Sequence, residues 1–464
     1  MDTATKDKRI TTINPVNGQE MEQYEYFSDS KVEKVIESCQ QAFSKWRHVS
    51  LNDRAKKIKA IGEGLKENRK ELAELMTAEM GKLLVQSRQE VDLCAAICNY
   101  TAEHGPEELK NEERTLSDGG KGIITYSPIG VIYGIQPWNY PSYQVVRYAI
   151  ANLMAGNGIL LKHASNVTGT GKLLEKIFRE AGLPENLFSC LVISHEQSDA
   201  VIKNDHVRGV TLTGSSAAGK DIGQKAGAEL KKTVLELGSN DAYIVLEDAD
   251  LDLAVEMCVK GRIYNNGETC IAAKRFIVVD AVYERFKSAF VEAMEALKLG
   301  DPTLDETDLG PIAREDLRET LHDQVQKSVA HGAQILCGGS IPDGTGFFYP
   351  ATVLANVKAG QPAYDDELFG PVASLIHAAD AEEAMQIAND SRFGLGGGIF
   401  SKDVDKATRL AENYFDTGMI FINTFGLAEP SMPFGGVKNS GFGREHGGFG
   451  MKEFVNVKAI TIGK

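Results

Sequence analysis

Four short stretches of this chain carry side chains with chemistry to offer. Cys270 lies in "NNGETCIAAKRF", where a polar, turn-forming segment gives way to the strand-like "RFIVV". A structural cysteine belongs more naturally inside an apolar run. At such a junction it is a nucleophile, a metal ligand or a bystander, and a thiolate nucleophile needs a lowered pKa and partial exposure. Glu236 closes the apolar run of "KTVLELG". A carboxylate packs poorly there, so it is either paired or working, and a poised base is one reading. Asn139, in "GIQPWNYP", follows an apolar strand and precedes a helix. Its carboxamide can donate to a developing oxyanion, or serve only as a turn former between prolines. The fourth stretch, "TLTGSSAAGK", spaces Gly214 and Gly219 as Gly-x-x-x-x-Gly, which is not the usual dinucleotide fingerprint. It still follows a strand and opens a helix, a place that suits a phosphate, with the Ser215 hydroxyl at hand.

The elements that must hold these residues can be read from periodicity. Residues 31 to 111 are helix-rich, with apolar residues at three- and four-residue spacing and charged faces between them. "SDGGKGIITYSP" predicts a hairpin. From "GVIYGIQP" to "KTVLELG" strands and helices alternate, with one helix ending at Gly156. That pattern predicts a parallel sheet covered on both faces, with ligands outside the carboxyl ends of its strands. A second α/β pattern runs from about 239 to 438. The end, "KEFVNVKAITIGK", alternates like a strand with no partner nearby in sequence, and such a strand pairs with another domain or another subunit.

Size and composition narrow the classes. A chain of 464 residues is long enough for two or three domains. Apolar content of 42% and charged content of 25% fit a soluble globular protein. No run of about 18 apolar residues predicts a membrane span, and the start, "MDTATKDKRITT", has no apolar signal core. The expected location is the cytoplasm. A formal charge of −15 argues against a nucleic-acid partner. The 7 cysteines are too few and odd in number for a disulfide framework. Cys94 and Cys98 sit one helical turn apart, but no second pair has zinc-ligand spacing, so core packing is expected and no metal.

Taken in order, "PWNYP", "GNGILLKHA", "TGSSAAG", "LELGS", "NNGETCIAAKR", "DDELFGPV" and "PFGGVKNSGFGREHG" resemble the aldehyde dehydrogenase superfamily over nearly the whole chain. The resemblance implies a Rossmann-like cofactor domain (1–107 and 127–238), an α/β catalytic domain (239–438) and a small β oligomerisation element (108–126 and 452–464), in a homodimer or homotetramer. It also implies that Cys270 attacks an aldehyde, that Asn139 and the Cys270 N–H hold the oxyanion, and that Glu236 activates the water that hydrolyses a thioester. On the cofactor side it implies roles for Trp138, Lys162, Gly214, Ser215, Gly238, Glu367 and Phe369. Two departures stand out. Ser239 follows Gly238 where the family has a second glycine, and Glu268 replaces a glutamine two residues before the nucleophile. In its polar loop Glu268 is expected to point outward. Ala272 stands where some nucleophile loops have a second cysteine, so no disulfide between close neighbours can form there.

Substrate and cofactor choice rest on single residues. Arg147 lies eight positions after Asn139 inside an apolar helix, and a buried arginine needs an anion. A ligand carboxylate or an internal acid would serve, and the cost of burying an internal pair favours the ligand. An arginine at this place is similar to the branch of the family that oxidises succinate semialdehyde. Arg262 and Ser431 are further candidates for the same carboxylate. Where the family often has an adenosine-ribose glutamate three residues after the lysine, this chain has Ser165. Without that charge a 2′-phosphate is not repelled, and Lys162 adds a cation. NADP is therefore expected ahead of NAD.

Overall fold

The computed structural model describes residues 9–463. Residues 1–8, most of the polar start read above, and residue 464, the end of the expected oligomerisation element, lie outside the described residues. A hairpin that periodicity did not suggest opens the chain, β1 (Arg9–Asn14) with β2 (Gln19–Glu25). Its turn needs Gly18, at φ +72°. Four helices follow, α1 (Asp29–Trp46), α2 (Leu51–Glu67), α3 (Arg69–Met80) and α4 (Leu84–Glu108). Ser28 and Ser50 start the first two by accepting from the N–H groups of Lys31 and Asp53. β3 (Glu112–Thr115) and β4 (Lys121–Pro128) form the expected hairpin.

The alternation expected next is present: β5 (Val131–Gln136), α5 (Tyr143–Ala155), β6 (Gly158–His163), α6 (Thr168–Glu180), β7 (Phe188–Cys190), α7 (His195–Lys203), β8 (Val207–Thr213), α8 (Ser216–Ala228) and β9 (Lys232–Glu236). The five strands are parallel in the order β9-β8-β5-β6-β7. Successive side chains face opposite sides, which is why both helix layers find an apolar floor. Ile132, Ile159 and Leu161 pack with α2, α4, α5 and α6, whereas Val131, Tyr133 and Leu160 pack with α1, α7 and α8. The chain enters mid-sheet at β5, builds outward to β7 and crosses back to β8. The crevice at that reversal lies between the carboxyl ends of β5 and β8, where "PWNYP" and "TGSSAAG" emerge.

The second half comprises β10 (Ala242–Val245), α9 (Leu251–Ile263), β11 (Arg275–Val279), α10 (Tyr283–Glu295), α11 (Glu315–Ala330), β12 (Gln334–Cys337), β13 (Thr352–Ala355), α12 (Pro362–Asp365), β14 (Val372–Ala378), α13 (Ala381–Asn389), β15 (Phe393–Gly394), β16 (Gly397–Phe400), α14 (Val404–Tyr414), β17 (Phe421–Ile422) and β18 (Val437–Lys438). Its main sheet runs β12-β13-β14-β11-β10-β16-β17, parallel except at β12. The tail then returns. β19 (Gly441–Phe442) pairs antiparallel with β9, placing Gly441 opposite Glu236. After α15 (Phe449–Glu453), β20 (Val455–Ile462) joins β4 and β3 in a three-stranded sheet. The terminal strand thus has its partner in its own chain. Cys94 and Cys98 are fully buried on α4, in the helical core.

Candidate active site

The nucleophile loop leaves the end of α9 through a short 3-10 turn, Tyr264–Gly267. Asn265, Asn266 and Gly267 take φ of 55°, 56° and 77° in succession. Asparagine tolerates this left-handed region, and here each carboxamide also serves as a strut. Asn265 Nδ2 donates to the carbonyls of Asn139 (2.8 Å) and Glu268 (3.0 Å). Asn266 Nδ2 donates to Gly81 and Pro311, and its Oδ1 accepts from Gly310 N. A Cβ at position 267 would lie 2.3 Å from the carbonyl carbon of Gly370, so only glycine fits. Two buried cations clamp the loop. Arg262 donates to the carbonyls of Gly267 (2.7 Å) and Val372 (3.3 Å). Lys274 Nζ donates to the Cys270 carbonyl at 2.6 Å and lies 3.3 Å from Glu367 Oε1.

Cys270 is partly buried and lines a cavity of about 240 Å³ with Tyr140, Tyr143, Gln144, Tyr264, Leu427 and Phe434 among its other walls. Burial pushes its thiol up to about 12; Arg147 and Lys274 pull it down, and Glu367 and Glu236 oppose them. The resting nucleophile is therefore a thiol. Asn139 Nδ2 donates to the carbonyl of Glu268 at 3.1 Å, two residues before Cys270. Its buried Oδ1 has no partner. Glu236 ends β9, is 2% exposed, and neither of its carboxyl oxygens has a partner. Burial holds its carboxyl well above the usual range, with Arg147 pulling the other way and Glu445 adding to the rise. At rest, burial favours the uncharged form of both the acid and the thiol. Both need a charge change or a ligand to become active.

At four residues the geometry departs from the sequence expectation. Arg147 is fully buried on α5, but its anion is Glu445, with which it forms an ion pair, and it donates to Thr213 Oγ1 at 3.0 Å. It does not line the Cys270 cavity. Tyr143 and Phe434 stand on that wall, with their ring centres 5.2 and 4.6 Å from the guanidinium. The reasoning that a buried arginine needs an anion holds; the anion comes from a tail 298 residues downstream that periodicity could not place. Arg262 donates from both terminal nitrogens to backbone carbonyls and likewise does not line the cavity. Ser431 is exposed and bonds to Glu429. Glu268 does not point outward: it is fully buried, accepts from Ala313 N, and is held well above the usual carboxylate range by burial.

At the carboxyl edge of the first sheet the residues expected on the cofactor side gather around open backbone. Ser215 caps α8 by accepting from Ala218 N. A Cβ on Gly214 would meet nothing nearer than 3.8 Å, so the space above it is free. A Cβ on Gly238 would lie 2.5 Å from Glu367 Oε2, and Glu367 also accepts from Ser239 N. Trp138 and Phe369 meet edge to face at 5.7 Å. Lys162, near the end of β6, is half-buried with its ammonium weakened chiefly by burial, and Ser165 is exposed at the start of the next turn. Gln136 at the end of β5 and Asn166 beside Ser165 are buried with no partner for either carboxamide atom. Open glycine backbone, a lysine and orphaned carboxamides on one sheet edge fit a polar, phosphate-bearing ligand such as a dinucleotide.

The model of the aldehyde dehydrogenase family matches residues 2–460. The chain belongs to the aldehyde dehydrogenase family. It is 44% identical over 458 residues to the succinate semialdehyde dehydrogenase [NAD(P)+] of Escherichia coli strain K12, covering 99% of each chain. It is 42% identical to the succinate-semialdehyde dehydrogenase [NADP(+)] of Deinococcus radiodurans, covering 98% of this chain and 95% of that one. Among solved structures, the succinic semialdehyde dehydrogenase of Streptococcus pyogenes in complex with NADP+ superposes with a TM-score of 0.96 at 37% identity, over 98% of this chain and 100% of that one.

Three residues of this aldehyde dehydrogenase escaped the sequence reading. Lys274 is the polar residue that precedes an apolar strand, the same signal that singled out Glu236. Gln144 is a second polar residue in the apolar helix that drew attention to Arg147. Glu445, in "GREHG", gave no local signal, because its partner is remote in sequence.

Proposed function

We propose that this aldehyde dehydrogenase oxidises succinate semialdehyde to succinate, with NADP as the favoured dinucleotide and NAD also accepted. The observation that carries the reading is a partly exposed Cys270 at the wall of a cavity, with the Asn139 carboxamide tied to the same loop and the Glu236 acid close enough to perturb the thiol. The identity to relatives bearing that activity supports the substrate and the dinucleotide.

In this reading Cys270 Sγ gives its proton to water and adds to the aldehyde carbon. The negative charge on oxygen is held by Asn139 Nδ2 and the Cys270 N–H. The dinucleotide, when bound, supplies the hydride acceptor, and its holding falls to Lys162, Ser165, Gly214, Ser215, Gly238 and Glu367, with Trp138 and Phe369 flanking the reacting end. Cys270 then carries an acyl thioester. Glu236, once ionised, takes a proton from water, which attacks the thioester carbon and frees the thiol and the acid. Asn139 Nδ2 carries two N–H groups: one donates to the Glu268 carbonyl and orients the carboxamide, and the other is left for the oxyanion.

One observation favours a wider range of aldehydes: the charge of Arg147 is matched by Glu445 within the protein and stands behind the cavity wall. A comparison of kcat/KM for succinate semialdehyde and butanal, read by absorbance of the reduced dinucleotide, separates the two readings. Cys270→Ser should lower turnover by more than about tenfold while dinucleotide binding persists. Retained turnover would remove the nucleophile from the scheme. The low and odd cysteine count supports a cytoplasmic enzyme. The apolar residues on exposed β20, Val457, Ile460 and Ile462, support a subunit contact in a homodimer or homotetramer.

A further inference from the structure

Among the described residues, the polar side chains on the wall of the Cys270 cavity are nearly all engaged within the protein. Glu90 accepts from the N–H groups of Ser142 and Tyr143 and is paired with Lys82. It thereby uses up the free amides at the start of α5. The hydroxyls of Tyr140, Tyr143 and Tyr264 meet Thr269, His446 and Gln89. Gln144 differs. It sits in the first turn of α5, lines the cavity, is 1% exposed, and neither Nε2 nor Oε1 has a partner.

A buried carboxamide without partners is costly, and folded proteins rarely leave one so. No neighbour in the fold supplies the missing bonds. A group entering the cavity can supply the bond that Nε2 lacks. A carboxylate is an acceptor only, and a carboxamide N–H is a donor that carries no charge of its own to bury. Three cations close to wall residues, Lys82, Arg147 and Lys274, are already matched by Glu90, Glu445 and Glu367. We propose that Gln144 is a specificity-determining residue of the cavity, its Nε2 donating to the distal carboxylate of an aldehyde acid whose carbonyl carbon lies at Cys270.

This rests on the succinate semialdehyde reading, and the experiment separates the two. Wild type, Gln144→Leu and Gln144→Glu are assayed with succinate semialdehyde and with butanal, and each variant's thermal midpoint is recorded. Gln144→Leu keeps the volume and removes the donor. Its KM for succinate semialdehyde should rise about tenfold to a hundredfold, the range for losing a hydrogen bond to a charged group, with KM for butanal and both kcat values little changed. Gln144→Glu stays polar and sets a like charge against the carboxylate. It should lose succinate semialdehyde further while still turning over butanal. If wild type does not prefer succinate semialdehyde, the substrate reading falls and this inference with it. If wild type prefers it and both variants keep the preference, or lose both aldehydes equally, the role of Gln144 alone is overturned.

Discussion

Lys274 Nζ bridges the carbonyl oxygen of Cys270, at 2.6 Å, and the carboxylate of Glu367, at 3.3 Å, from a side chain that is almost fully buried. One ammonium thus ties the nucleophile's backbone to the residue expected at the nicotinamide ribose. The two halves of the reaction are held in register by a charge, not by packing alone.

Lys274→Met should therefore lower stability by about 2 kcal/mol, because the partly buried Glu367 carboxylate loses its cation and the Cys270 carbonyl its donor. It should also reduce kcat, through a loosened Cys270 loop. Urea unfolding and steady-state rates measure the two effects. An unchanged midpoint would mean Glu367 finds another partner.

The thiol of Cys270 is raised, so the reactive thiolate is the minor form across the neutral range and grows with pH. In the free enzyme, the logarithm of the rate of alkylation by iodoacetamide should climb with a slope near one from about pH 7 to about pH 10 and show no plateau. A plateau near pH 8 would show an ordinary or activated thiol.

Glu236 is also raised, and a base must be ionised to work. Hydrolysis of the thioester should accelerate with rising pH. Glu236→Gln should leave a rapid burst of reduced dinucleotide followed by a slow phase. Loss of the burst itself would place Glu236 in thiol activation.

Arg147→Ala leaves Glu445 buried without its partner. The expected outcome is a loss of about 3 kcal/mol or more, with KM for succinate semialdehyde and butanal moving together. A selective loss of the charged aldehyde would return Arg147 to direct substrate contact.

Ser165→Glu should cut kcat/KM for NADP by at least about tenfold and spare NAD, since the new carboxylate repels a 2′-phosphate. An unchanged ratio would place the adenosine determinant elsewhere.

What could be read from the sequence follows the range of the interactions. The strands β5 to β9 and their helices were legible because apolar alternation and end signals such as Gly156 are local. Cys270, Glu236 and Asn139 stood out because each lies at a junction between a polar segment and an apolar run. Arg147 was singled out for the right reason, and its partner was misassigned because Glu445 arrives from the far end of the chain. Glu268 was misjudged because a polar stretch looks exposed in sequence, whereas here it folds under the segment around Ala313. Gln144 and Lys274 gave signals as clear as those of the residues that were chosen. Their meaning depended on which neighbours were already satisfied, and only the structure shows that.

The tail that returns to the first sheet also bears on how the enzyme is made. Ser440 Oγ donates to the carbonyl of Gly238, 202 residues earlier, and Tyr143 meets His446 across 303. These links close only after residues 440–446 have left the ribosome. A nascent chain can form the helices and parallel strands of its first half as they emerge, but Glu236 then lacks its outer strand and Arg147 its acid. Chains that stop short of this segment should therefore carry the Cys270 sulfur without a completed pocket, so activity switches on only once the segment has emerged.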